Sequence, residues 1–303
     1  MTRFNLTVFL VTVLVTQAFP QPSISFTFDD GITTDMPGYT FEQWNAMLLD
    51  HLDRAGIKTV FFVTGRNKLD GKGQFLLKSW DDKGHKISNH TFSHLNYGSQ
   101  NISLETFGEE FLKNDKIIKK YKNYFPLFRF PYLKEGDTKE KVDGFRSLLR
   151  QHGYKNGYVT IDASDWYIDS RLVKRLRENL NTDLQGFREF YLDHLYERAL
   201  YYEKLSLELT GRHIKHTLLL HHNLTSALFL GDAIKMFKEK GWEITSAQEA
   251  YQDEIFNANP SNVPAGESLI WALAKESGKF EGILRYPAED SKYEKDKMDN
   301  LGL

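Results

Sequence analysis

Short runs of β-branched and aromatic residues recur along this chain, and each is followed by a longer stretch of helical periodicity. No feature constrains the fold more. Strands that arrive singly, with a helix before the next, pair in parallel through crossovers rather than hairpins, giving an open α/β sheet or a barrel. The patterning predicts strands at 24–28, 58–63, 86–88, 127–130, 157–161, 216–221 and 242–245, with helices near 40–55, 74–83, 103–121, 140–152 and 227–240.

Two stretches depart from this rhythm. Residues 171–212 are long, charged and helical, with Phe187, Phe190, Tyr191, Leu195 and Leu205 at roughly helical spacing. They read as a helical pair packed outside the domain, or alternatively as a wall of a substrate cleft. The tail from 248 holds a helix near 268–277 and ends in a mixed-charge run, 289–297, read as a solvated face.

At 303 residues the chain is one large domain or two small ones, long enough to bury a core. Its 41% hydrophobic content sets it apart from disordered chains. A formal net charge of -2 gives no basic surface, so nucleic acid and anionic membrane are not expected partners. The absence of cysteine removes disulfides and thiol catalysis. Arg3, the apolar stretch 8–15 and Thr16-Gln17-Ala18 read as a cleaved secretory signal over residues 1–18, so a secreted or periplasmic protein is expected. That stretch is too short for a membrane span, and a buried strand or uncleaved anchor is the competing reading.

Five clusters carry candidate chemistry. The first strand runs into Phe26-Thr27-Phe28-Asp29-Asp30-Gly31, where one carboxylate can bind a metal ion while its neighbour takes a proton from water. Such a pair needs a cation or an arginine nearby to stay ionised. Asn89-His90-Thr91-Phe92-Ser93-His94 sets two histidines four apart, a spacing that on a helical turn puts both on one face. With Asp30 they make two nitrogens and one oxygen, a donor set that suits catalytic zinc. In Phe128-Arg129-Phe130-Pro131-Tyr132, Arg129 can lie against Asp29, and the proline-fixed turn can aim the Tyr132 N–H at an oxyanion. Asp165 can keep His221 protonated as a general acid, with Trp166 as an apolar wall. Each has a plainer reading: a chance histidine pair, a strand-end ion pair, a capping aspartate, a core tryptophan. Their joint placement at the C-terminal ends of predicted strands, where parallel barrels gather their active sites, favours function.

In order, these clusters resemble the five motifs of the polysaccharide deacetylase family, carbohydrate esterase family four, which shares the NodB-homology domain. The likeness runs from about Ile24 to Ala250. It implies a distorted (β/α) barrel of about seven parallel strands, here with a helical insertion and a helical C-terminal extension over 251–303. It also implies Asp29 as base, Asp30, His90 and His94 as metal ligands, Arg129 orienting the base and Tyr132 supplying the oxyanion N–H. Asp165 would tune the acid His221, while Trp166 and Leu219 would line the pocket for the acetyl methyl. Two positions depart from the family pattern: Phe130 stands where proline is commoner, and His222 where many members carry aspartate.

The expected activity is metal-dependent removal of acetyl groups, N-acetyl foremost, from an acetylated carbohydrate, with zinc, cobalt or nickel as the divalent ion. Hydrolysis of a small non-sugar amide and non-catalytic glycan binding are the competing functions.

Overall fold

Residues 21–285 and 291–303 are described in the computed structural model, so the expected signal over 1–18 lies outside the described residues. In chain order the strands are β1 (Ser23–Asp30), β2 (Val60–Val63), β3 (Lys86–Asn89), β4 (Tyr124–Phe128), β5 (Lys134–Gly136), β6 (Lys155–Asn156), β7 (Lys215–His221), β8 (Glu243–Ile244) and β9 (Ala265–Gly266). The helices are α1 (Phe41–Ala55), α2 (Gly71–Asp82), α3 (Leu104–Ile118), α4 (Lys139–Gln151), α5 (Asp165–Glu178), α6 (Gln185–Thr210), α7 (Leu224–Glu239), α8 (Ala247–Ala250), α9 (Leu269–Ser277) and α10 (Lys295–Asn300).

The main sheet runs β6-β4-β3-β2-β1-β7, all in parallel, with β8 beside the first two residues of β1. It curls into a distorted (β/α) barrel. One irregular segment closes the circle: Gly157 N–H donates to the Phe128 carbonyl at 2.6 Å, and Ile161 bridges Leu218 of β7. The strand expected at 157–161 is therefore not formed. The segment crosses from one sheet edge to the other and cannot pair along its length with either. β4 likewise stops at Phe128, ahead of the turn at Pro131–Leu133.

β1 shows how two faces divide the labour. Ile24, Phe26 and Phe28 point to the helical layer, where Phe26 meets Phe237 of α7 at 6.0 Å and Phe28 meets Trp80 of α2 at 5.5 Å. Burying such a ring stabilises by about 1.5–3 kcal/mol. Ser25 and Thr27 face the barrel interior and donate to the carbonyls of His216 and Leu218, both at 3.0 Å. Asp29 continues that inner face. Val60, Phe62, Leu127 and Ala247 fill the barrel beside it. Helix boundaries follow local rules: α1 starts on a Thr40–Gln43 capping box and stops at left-handed Gly56.

The long insertion is more than an outer pair. Buried residues run round α6 instead of along one stripe, because α7 lies on one side and the C-terminal segment covers the other. The charged run near the C-terminus is not simply solvated: within it Glu294 is fully buried, 3.2 Å from His194 and 3.8 Å from Arg198, and Met298 is buried too.

Candidate active site

The C-terminal ends of β1, β4 and β7 and the loops after β3 and before α5 open into one cleft of about 650 Å³. Asp29, Asp30, His90, His94, Tyr132, Trp166, Leu219 and His221 all line it.

Asp29 is buried against Arg129, whose Nη1 donates to its Oδ1 at 2.6 Å and to Thr27 Oγ1 at 2.9 Å. Arg129 Nε donates to the Gly157 carbonyl at 2.9 Å and Nη2 to Tyr251 Oη at 2.7 Å, while the guanidinium sits 3.9 Å from the Phe62 ring centre. Four fixed acceptors lock its position. Burial pushes the Asp29 carboxyl up to about 6, against the pull of Arg129 and His221. That value suits a group that must take up and release a proton near neutrality.

Asp30, the next residue, has a left-handed backbone (φ 77) and presents its carboxylate to different partners. Its Oδ1 lies 3.6 Å from His90 Nε2 and 3.4 Å from His94 Nε2. His90 Nδ1 sits 2.8 Å from the Arg129 carbonyl, which can only accept, so Nδ1 carries the hydrogen and Nε2 faces Asp30 as a lone pair. Burial holds His90 down at about 3 and lowers His94 too. Asp30 Oδ1 is itself buried without a hydrogen-bond donor. An acceptor oxygen and an imidazole lone pair facing each other call for a cation between them. Donors about 2.0–2.1 Å from a tetrahedral ion lie about 3.3–3.4 Å apart, close to the two spacings here. Among the described residues this trio forms the cluster with metal-ligand spacing.

The histidine loop is not the helical turn that the spacing suggests. Thr91 and His94 both have left-handed backbones, Thr91 N–H donates to Asn89 Oδ1 and His94 N–H to Thr91 Oγ1. The four-residue interval converges the rings through a tight loop. Left-handed residues gather round the cleft: Asp30, Thr91, His94, Tyr132, Leu133 and Ser164. Each costs of order 1–3 kcal/mol and persists only where its surroundings enforce it.

On the opposite wall, Asp165 Oδ1 accepts from His221 Nδ1 at 2.6 Å, and its Oδ2 accepts from the His221 N–H at 2.9 Å and Asn223 Nδ2 at 3.1 Å. Burial alone would lower His221; Asp165, then Asp30 and Asp29, outweigh it and lift the imidazole to about 10. Strand alternation resolves the His221-His222 pair: His222 faces away, fully buried against Trp44 at 4.3 Å, with Nε2 3.0 Å from Asn45 Oδ1.

Tyr132 and Trp166 stand half-exposed at the rim, and Leu219 is buried at the floor. Phe130, the residue that departs from the family pattern, stacks among Tyr97, Phe107 and Phe145. Sequence reasoning missed Thr27, Tyr251 and Asp162. Asp162 also lines the cleft, its carboxyl raised by burial to about 6. A second aspartate three residues before Asp165 was the available signal; nothing local marks Tyr251.

Residues 16–157 match the family model for polysaccharide deacetylase. The chain is 30% identical over 115 residues to a peptidoglycan-N-acetylglucosamine deacetylase of Bacillus cereus, covering 38% of each. It is 31% identical over 152 residues to chitin deacetylase 1 of Cryptococcus neoformans, covering 46% of this chain and 28% of that one. The chain thus spans well under half the length of these curated relatives. Among solved structures, a family 4 carbohydrate esterase from Streptomyces lividans aligns with TM-score 0.50 at 18% identity, over 76% of this chain and 95% of that one. A CE4 family pseudoenzyme from Bacillus anthracis aligns with TM-score 0.54 at 16% identity, over 76% and 65%. Those two likenesses concern fold. Family match and sequence relatives agree: residues 16–157 carry a polysaccharide deacetylase domain.

Proposed function

We propose that this protein hydrolyses acetyl groups, N-acetyl foremost, from a polysaccharide or oligosaccharide, with a divalent cation held by Asp30, His90 and His94. The observation that carries this is the divergence of two consecutive carboxylates, Asp30 toward two imidazoles and Asp29 onto Arg129. The N-acetyl preference follows the relatives named for peptidoglycan-N-acetylglucosamine and chitin. Zinc suits the donor set, which cobalt and nickel share.

Bound there, such an ion acidifies a water molecule and polarises the acetyl carbonyl. Asp29, oriented by Arg129, takes the proton as the water oxygen bonds to the carbonyl carbon. The Tyr132 N–H donates to the developing oxyanion, and Trp166 and Leu219 enclose the methyl group. His221, kept charged by Asp165, gives its Nε2 proton to the leaving nitrogen as the C–N bond breaks, releasing acetate and an amine. An exported protein fits such a substrate, through the signal read at residues 1–18.

A non-catalytic glycan-binding protein would need the aromatic rim but neither the Asp29–Arg129 nor the Asp165–His221 pair. Acetate release from acetylated chitooligosaccharides, measured with chelator and after zinc is restored, tests the proposal. Release that persists in chelator would remove the metal from the scheme; no release from any acetylated glycan would leave the binding reading.

A further inference from the structure

We propose that the segment beyond residue 250 is a positioning element of this site, Tyr251 holding Arg129 and β9 with Glu267 holding the Tyr132 turn. The inference rests on the reading above, in which Arg129 orients Asp29 and the Tyr132 N–H meets the oxyanion.

Arg129 spends its N–H groups on Asp29, Thr27, the Gly157 carbonyl and Tyr251 Oη. Three of those partners lie on the barrel; Tyr251 comes from the chain after it. Its hydroxyl accepts from Arg129 Nη2 at 2.7 Å and donates to the Tyr158 carbonyl at 3.1 Å. Phe256 packs on the ring at 4.8 Å and fixes its plane. The tyrosine therefore ties the guanidinium to the irregular closing segment, and removing its oxygen leaves Nη2 buried with that partner gone.

The second contact is to the strained turn. Tyr132 and Leu133 are both left-handed, at φ 56 and 54, although neither is glycine. Such a pair needs enforcement from outside. Antiparallel β5 and β9 supply it, with Lys134 opposite Gly266 and Gly136 opposite Ala265. Glu267 N–H donates to the Leu133 carbonyl at 3.0 Å, and its side chain pairs with Lys134. Gly266 makes this approach feasible: a Cβ there would stand 2.0 Å from the Leu133 oxygen, a backbone atom that cannot swing aside.

The test uses the full chain with two substitutions, Tyr251→Phe and Gly266→Ala. Turnover on acetylated chitooligosaccharide is measured with bound zinc and with hydrogen–deuterium exchange over residues 130–136. Tyr251→Phe should lower kcat about tenfold while KM and zinc content hold, since only the orientation of Arg129 is loosened. Gly266→Ala should lower kcat roughly 10²-fold, again with zinc retained, and speed exchange in the turn. Wild-type kcat in both variants overturns the proposal. So does loss of zinc in step with turnover, the mark of a general structural defect. If Gly266→Ala does not fold, the kcat of Tyr251→Phe decides. If the wild type releases no acetate, the functional reading fails separately and exchange alone decides: faster exchange in Gly266→Ala supports the clamp, and unchanged exchange overturns it.

Discussion

The two walls of the cleft treat the same side chain in opposite ways. On one wall, His90 is buried with Nδ1 on the Arg129 carbonyl, and its pKa falls to about 3. On the other, His221 is largely enclosed too but has Nδ1 on the Asp165 carboxylate, and its pKa climbs to about 10. Burial pushes both rings toward neutrality; the partner of the far nitrogen decides the outcome. A carbonyl leaves a neutral ring with its lone pair outward, and a carboxylate keeps a ring protonated.

Removing the neutral wall should have the largest effect. His90→Ala should lose bound zinc and acetate release together, measured by metal analysis and assay. Asp29→Asn should keep the zinc and lose about 10³–10⁴-fold in kcat, so near-normal turnover in that variant would take Asp29 out of the base role. On the charged wall, Asp165→Asn withdraws the charge that sustains the imidazolium. It should cost about 10²–10³-fold and move the alkaline limb of the pH–rate profile downward. An unmoved limb would break the contrast between the walls.

The wild-type profile sharpens it further. The proposed mechanism requires Asp29 ionised and His221 protonated, so the rate should rise through about 6 and fall through about 10. A bound divalent cation stabilises the ionised carboxylate and the neutral imidazole, and so shifts both limbs toward lower pH. The smallest effect belongs to the neighbour outside the cleft. His222→Leu should lose about 1–2 kcal/mol of stability with its Asn45 contact, measured by denaturant unfolding, and leave kcat near wild type.

What could be read from sequence was chemistry that is local. Consecutive aspartates at a strand end, two histidines four apart and an arginine before Pro131 each carry their meaning within a few residues. The alternation of patterns also located β1, β2, β3 and β7 and the helices α1, α2, α3 and α7 that follow them. What escaped depends on closure of the chain upon itself. Tyr251 reaches Arg129 across 122 positions, and no periodicity announces a tyrosine that points into a barrel. The stretch 157–161 has strand-like residues, yet it spans a gap instead of lengthening an edge. Glu294 looks like a surface charge until Arg198 and His194 are found beneath it. The two histidine rings do converge, but through left-handed Thr91 and His94 instead of the helical turn expected.

The closing thread between β6 and Ile161 carries a thermal consequence. It joins the sheet edges as irregular chain instead of a strand, and the carbonyls of Gly157 and Tyr158 that anchor Arg129 and Tyr251 lie within it. Warming should loosen this seam ahead of the long helices, so catalytic competence would fade at temperatures where far-ultraviolet circular dichroism still reports a folded molecule.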